Sequence, residues 1–80
     1  MTALVIEVIG WAGGVALLAA YALVSRGIWA ADGARYQWVN VLGAAALAVN
    51  SAWNSAYPST ALNIVWIGLG GWALWRVWQR

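Results

Sequence analysis

Three long apolar stretches, separated by two short polar connections, limit what this chain can fold into. They cover residues 3–25, 36–53 and 58–78. A helix needs about 20 mostly apolar residues to cross the hydrocarbon core of a bilayer, and each stretch is close to that length. A helix also satisfies its own backbone hydrogen bonds in lipid. The pattern predicts an all-α membrane protein with three transmembrane helices in one domain, residues 1–80.

The shortage of charged residues supports this prediction. Only 8% of the side chains are charged, whereas a soluble domain carries about 25% because its surface faces water. The first apolar stretch is longer than the core of a cleavable signal peptide, about 7–15 residues, and no basic segment precedes it. We therefore expect it to stay in the mature protein as a membrane helix.

The residue types also exclude most catalytic classes. The chain contains no Cys, His or Lys, and its two carboxylates, Glu7 and Asp32, belong to different regions. The usual zinc ligands and imidazole bases are therefore missing. The net charge of +2 is too small and too scattered for nucleic-acid binding. We expect no enzyme activity, no cofactor, no metal and no nucleic-acid partner.

The arginines predict the orientation of the chain in the membrane. Arg26 and Arg35 lie in the first connection, and Arg76 and Arg80 lie near the C-terminus, whereas residues 54–57 carry no charge. Cytoplasmic segments of membrane proteins collect Lys and Arg. In a chain that crosses three times, this places the N-terminus outside and the C-terminus in the cytoplasm.

A polar stripe follows the second predicted helix. Asn40, Gly43, Asn50 and Asn54, with Leu47 between them, fall on roughly one helical face. Two interpretations stay open. The asparagines could join helices, although such bonds average only about 0.6 kcal/mol in membranes, or the face could line a hydrated cavity that binds a polar solute. The extent of the stripe favours the cavity.

The third helix adds polar positions at membrane depth. Asn63 and Trp66 are three residues apart, and helical rise places Trp66 about 12 Å from Pro58, near mid-membrane. An indole there is available for stacking on a solute. Three helices are too few to enclose a pathway, so we predict a homodimer. Its substrate-binding residues at the shared axis are Asn63, Trp66, Asn50 and Tyr21.

Glu7 needs a separate explanation. An ionisable group within an apolar segment is a functional candidate by default, so a proton-coupling role for Glu7 stays open. The residue also lies in the first turns of its helix, where an acid interacts favourably with the positive end of the helix dipole. We favour this dipole interpretation.

Glycines are frequent in the first and third stretches. Gly10 and Gly14 form a small-xxx-small pair, and Gly68, Gly70 and Gly71 reduce the width of the third helix. Missing side chains let helices approach closely in membranes. These positions are therefore predicted packing surfaces, within the chain or between copies of it.

Three segments, residues 21–27, 36–43 and 56–66, resemble a family of small, uncharacterised bacterial three-helix membrane proteins. A transport role is often attributed to that family. The resemblance implies a location in the bacterial inner (plasma) membrane.

The layout is also similar to the SemiSWEET sugar transporters of the PQ-loop superfamily, which are three-helix half-transporters that dimerise around a central path. Gly43 and the spacing from Pro58 to Asn63 carry this similarity, whereas Leu47 stands where those proteins have a substrate tryptophan. The resemblance implies a SemiSWEET-like three-helix bundle in which Asn63 contacts the solute.

The predicted function is membrane transport of a small polar or amphipathic solute by a homodimeric half-transporter that works by alternating access. The alternative is a non-transporting small membrane subunit that stabilises or regulates a larger membrane protein. In that case the asparagines and glycines would be docking surfaces. Both functions have the lipid bilayer as a partner.

Overall fold

The computed structural model describes residues 1–79, which form three α-helices: α1 (Thr2–Ser25), α2 (Ala34–Trp53) and α3 (Tyr57–Trp78). The predicted all-helical architecture with three helices is confirmed. The helices begin and end within two residues of the apolar stretches. Arg80, one of the four arginines used for the orientation, lies outside the described residues.

Both connections begin with the same hydrogen-bonded helix end. After α1, the Gly27 N–H donates to the Val24 carbonyl and the Ile28 N–H donates to the Leu23 carbonyl. Gly27 has a φ of 75°, the left-handed conformation that glycine adopts at low cost. After α2, Ser55 occupies the corresponding position with a φ of 59°. These ends turn the chain sharply, so consecutive helices pack side by side.

The helix order in space follows the order in sequence. α2 contacts both α1 and α3, whereas no Cα atom of α1 within residues 1–79 lies within 8 Å of a Cα atom of α3. Ile6 lies opposite Asn50 and Leu17 lies opposite Gly43, so α1 and α2 are antiparallel. The short second connection makes α3 antiparallel to α2 as well. The helices therefore form an open row, not a bundle in which each helix contacts both others.

The interior of this row consists of small residues. No large side chain among residues 1–79 is fully buried, and the buried hydrophobic residues are Ala20 and Ala44. Large apolar side chains such as Leu18 and Leu62 lie on the outside instead. A soluble domain has the opposite distribution, with Leu, Ile, Val and Phe in its core. The other buried positions are Gly10, Gly13, Asn40, Gly43, Ser51 and Gly70.

One helix within residues 1–79, α1, is long and apolar enough to cross a membrane by itself. The most apolar 18-residue window of α1 has a mean hydropathy of 2.0, and only 17% of that window is buried. α2 and α3 are long enough but less apolar. Asparagine, glutamine and arginine lower the hydropathy of α2, and tryptophan-rich α3 gains little from its indoles. The structure thus shows one candidate span, where the apolar stretches predicted three.

Candidate functional site

The α1–α2 contact is built on facing glycines. A Cβ atom on Gly13 would lie 2.9 Å from the Gly43 carbonyl oxygen and 2.7 Å from the Ala46 Cβ. A Cβ atom on Gly43 would lie 2.7 Å from the Leu17 Cγ. These distances are too short for any side chain, so the two backbones touch here. This close approach lies within one chain and uses Gly13 and Gly43. The predicted packing pair of Gly10 and Gly14 is not the pair that brings the two backbones together.

Asn50 joins α2 to α1. Its Nδ2 donates a hydrogen bond of 2.9 Å to the Ile6 carbonyl oxygen. The absence of a side chain at Gly10 leaves room for the amide, since a Cβ there would lie 2.6 Å from the Asn50 Cγ. A carbonyl oxygen has two lone pairs, so Ile6 accepts this bond in addition to its own helical bond. One member of the predicted stripe is thus an interhelical donor.

Asn40, at the other end of the predicted stripe, joins α2 to α3. Trp66 Nε1 donates a hydrogen bond of 2.8 Å to Asn40 Oδ1. Asn40 is only 9% exposed, whereas half of the Trp66 side chain is exposed. The indole therefore uses its polar edge within the chain and keeps part of its apolar ring outside. Two members of the stripe thus bond to the two neighbours of α2, Asn50 to α1 and Asn40 to α3. The third asparagine, Asn54, donates from its Nδ2 to the Asn50 carbonyl oxygen of α2 instead.

A third polar contact was not predicted from the sequence. Ser51 Oγ and Thr60 Oγ1 lie 2.8 Å apart across the α2–α3 contact. One hydroxyl donates to the other, and the accepting hydroxyl can donate to a carbonyl of its own helix, because Ala48 O lies 3.2 Å from Ser51 Oγ and Ala56 O lies 3.1 Å from Thr60 Oγ1. A hydroxyl can satisfy itself in this way within any helix, so the sequence carried no signal that these two would meet.

A groove of about 520 Å³ lies between α1 and α2 and is open on one side. We call it the α1–α2 groove. Glu7 Oε1 accepts a hydrogen bond of 3.0 Å from Trp11 Nε1, one helical turn further along α1. Gly14 lines the groove without a side chain, and a Cβ there would meet nothing within 4 Å. The lining residues are Glu7, Gly10, Trp11, Gly14, Val15, Leu17, Leu18, Leu47 and Asn50.

Glu7 is the charged residue of this groove. Within residues 1–79 it forms no ion pair. Arg26, directly after the last residue of α1, lies 19 residues further along the chain, about 28 Å away at 1.5 Å per residue. Arg35 lies in the first turn of α2 and Arg76 in the last turn of α3, so the antiparallel packing places both at the same end as Arg26. Glu7 and the described arginines therefore lie at opposite ends of the molecule.

The groove includes only part of the predicted site. Asn50 and Glu7 line it, whereas Tyr21, Asn63 and Trp66 do not. Tyr21 projects outward from α1 and is 66% exposed. Asn63 is half-buried and lies on the same face of α3 as Thr60 and Gly70, which contact α2. Its amide forms no hydrogen bond with another side chain of residues 1–79. That Tyr21, Asn63 and Trp66 meet at the axis of a dimer stays a prediction.

Trp11 and Gly14 line the groove, although the sequence alone does not predict either as a site residue. The spacing from Glu7 to Trp11 is the signal that could have found Trp11, because side chains four residues apart are neighbours on a helix. Gly14 was noted only as half of a small-xxx-small pair. In the structure its partner Gly10 faces Asn50, whereas Gly14 opens the groove.

Comparison with known proteins identifies a family. No curated protein and no solved structure matches the chain. The comparisons therefore give no link to SemiSWEET transporters or to the PQ-loop superfamily. One family model, of uncharacterised proteins, matches residues 6–80, a range that includes the groove, most of α1 and all of α2 and α3. The chain belongs to this family.

Proposed function

We propose that the protein is a small-solute membrane transporter that works as a homodimer of half-transporters, with the α1–α2 groove as part of its solute site. The groove is the observation that carries this proposal. It combines a carboxylate, an indole and an amide with apolar walls, and it is open on the surface of a single chain. Binding sites for small molecules are typically apolar clefts with a few placed polar groups.

Three crossings of the bilayer are part of the proposal. The distribution of side chains supports them, because large apolar groups cover the outside while glycine, alanine and hydrogen-bonded polar groups fill the inside. The longest dimension of the molecule is 41 Å, comparable with the thickness of a bilayer including its headgroups, about 40–45 Å. The low burial of α1 also differs from that of a core helix in a soluble domain.

The proposed orientation has the N-terminus outside and the C-terminus in the cytoplasm of a bacterial cell, with the protein in the inner membrane. The end-to-end separation of charges supports it. Arg26, Arg35 and Arg76 lie together at one end of the row, and basic residues favour the cytoplasmic side. Arg76 also lies over the Trp72 ring, 5.7 Å from its centroid, as expected for an interfacial pair.

The open row supports the homodimeric part of the proposal. α1 and α3 leave the surface of α2 uncovered between them, so the groove closes only against a further surface. A second copy supplies one. Tyr21, Asn63 and the exposed part of Trp66 would then face the shared axis. Rocking of one copy against the other would expose the site alternately to the two sides.

Flux through liposomes tests the proposal. The purified protein is reconstituted, and exchange is measured for labelled glucose, leucine and benzyltrimethylammonium, which represent a neutral polyol, a zwitterion and an amphipathic cation. At least one probe should exchange faster than in protein-free vesicles. Exchange at the protein-free rate for all three probes would reject transport by this chain.

A pair of variants links the flux to the groove. Gly14→Leu places an apolar side chain in the groove at a position where an added Cβ meets nothing within 4 Å. It should lower flux severalfold. Ala22→Leu adds the same side chain to an exposed position of α1 outside the groove, and it should leave flux unchanged. Equal flux in both variants would remove the groove from the proposal.

A second candidate function is favoured by two glycines on α3. A Cβ atom on Gly68 or on Gly71 would meet nothing within 4 Å, so neither glycine is required by the packing of residues 1–79. Each costs helix stability of about 1 kcal/mol relative to alanine. Such positions are useful where another helix packs closely. A non-transporting subunit that docks on a larger membrane protein would use them, and it would co-purify with that protein while moving none of the three probes.

A further inference from the structure

The composition of the α1–α2 groove indicates which class of solute it accepts. We propose that the groove binds a small amphipathic organic cation, with the positive group beside the Glu7 carboxylate and the Trp11 indole and the apolar part against Leu18 and Leu47. The inference rests on the proposed function, since it takes the groove as the solute site and adds the chemistry of the solute.

Glu7 provides the negative charge of the proposed cation site. Its carboxylate accepts one hydrogen bond, from Trp11 to Oε1, and forms no ion pair within residues 1–79. An acid within an apolar helix is energetically costly without a cationic partner, and a bound cation offsets that cost. Arg26 lies about 28 Å away by helical rise, and Arg35 and Arg76 lie at the same end as Arg26. The cation at the Glu7 end is the N-terminal ammonium, which forms no ion pair with Glu7.

Trp11 adds a second group that attracts a cation. The hydrogen bond from Nε1 to Glu7 holds the indole beside the carboxylate, and the side chain is 69% exposed. The face of an indole attracts cations, and quaternary ammonium groups are recognised in this way. A carboxylate and an indole fixed side by side therefore present two attractive groups to the same positive charge. Neither group attracts an anion.

The rest of the lining selects against polyols and other neutral polar solutes. The amide of Asn50 already donates to the Ile6 carbonyl, and the other walls are provided by glycine, valine and leucine. A sugar placed here would lose many hydrogen bonds to water, which is costly, and the side chains of the groove could replace them only at Glu7 and at the remaining amide groups of Asn50. An apolar solute with a single positive charge loses few hydrogen bonds to water when it enters the groove. The volume of about 520 Å³ is in the usual range for a small ligand, about 300–1,000 Å³.

Two size-matched probes of opposite charge test the inference. Binding of benzyltrimethylammonium and of phenylmethanesulfonate to the intact protein is measured by calorimetry in a non-ionic detergent, with empty micelles as the blank. The cation should bind at least about tenfold more tightly than the anion. Equal affinity for the two probes would overturn the proposal, because the groove would then respond only to apolar groups.

Two matched variants assign the effect to Glu7. Glu7→Gln keeps an oxygen that accepts from Trp11 but removes the charge, so it should weaken binding of the cation about tenfold. Asp32→Asn removes the other carboxylate of the chain, which lies at the arginine end, and should leave binding unchanged. Undiminished binding by Glu7→Gln, with unchanged helical circular dichroism, would overturn the assignment.

These experiments distinguish failure of the cation site from failure of the proposed transport. Cation binding that depends on Glu7, together with no flux of any probe in liposomes, would retain the cation site and reject transport. Flux of glucose or leucine without binding of the cation would retain transport and reject the cation site.

Discussion

At the scale of single residues, the asparagines of α2 act between helices. Asn50 donates to the backbone of α1, and Asn40 accepts from Trp66 of α3. The sequence predicts that both share one polar face. They are ten residues apart, which places them about 80° apart around a helix, wide enough for one to reach each neighbour. This geometry matches the interpretation of the stripe as a set of interhelical contacts at these two positions.

The bond between Asn40 and Trp66 gives a prediction at this scale. Trp66→Phe keeps an aromatic ring but removes the donor, and Asn40→Ala removes the acceptor. A double-mutant cycle should give a coupling energy of about 0.6–1.7 kcal/mol, the range for hydrogen bonds between membrane helices. The measurement is unfolding in detergent followed by helical circular dichroism. Trp75→Phe is the control, because its indole nitrogen forms no hydrogen bond within residues 1–79. A coupling energy of zero would contradict the bond.

At the scale of helices, the distance between α1 and α2 depends on the face of α1 that contains Gly13 and not on the adjacent face that contains Gly14. Gly13 and Gly14 are neighbours in the chain, but only Gly13 faces α2. A Cβ on Gly13 would press on Gly43 and Ala46, whereas a Cβ on Gly14 would meet nothing within 4 Å. The two glycines have the same intrinsic helix propensity. Their substitution therefore separates packing from propensity.

Gly13→Ala should destabilise the protein, because it drives two backbones apart. Overpacking of this kind costs about 1–3 kcal/mol. Gly14→Ala is the matched control and should be neutral or stabilising by up to about 1 kcal/mol, since alanine favours a helix over glycine. Thermal unfolding of both variants in the same detergent measures the difference. Equal stability of the two variants would mean that α1 and α2 do not touch at Gly13.

The helices themselves were predictable, and their order in space was not. Apolar stretches bounded by polar connections mark α1, α2 and α3, and Pro58 lies in the first turn of α3 as expected. Which helix lies in the middle depends on close packing at positions such as Gly13, Gly43 and Gly70. In an Ala/Gly-rich sequence, small residues occur on several faces of each helix. Periodicity alone does not identify the face that packs.

The candidate site was predictable in part for a similar reason. Glu7 and Asn50 were found because polar groups are rare in apolar stretches, and both line the groove. Trp11 was not found, because an indole in such a helix resembles many others until its partner is known. The pairing of Ser51 with Thr60 depends on the register between α2 and α3. That register is set by tertiary packing and not by the sequence of either helix.

At the scale of the whole molecule, the polar groups of α2 are compatible with a membrane only because its neighbours satisfy them. α1 is apolar enough to span alone, whereas α2 carries Asn40, Asn50 and Ser51, each hydrogen-bonded to α1 or α3. The cost of polar groups in lipid falls when they are paired. Because α2 lies between α1 and α3, it can carry more polar side chains than α1 and still lie in the membrane, its proposed location.

The number of crossings gives the prediction for the whole molecule. The chain contains no cysteine, so single cysteines can be introduced without background. With three crossings and the arginine end in the cytoplasm, Thr2→Cys and Ser55→Cys should react with a membrane-impermeant maleimide from outside intact spheroplasts. Gln79→Cys should react only after lysis. If Thr2→Cys and Gln79→Cys instead react from the same side, the number of crossings is even. Glu7 and Asn63 could not then both lie within the membrane on the paths that the proposed transport requires.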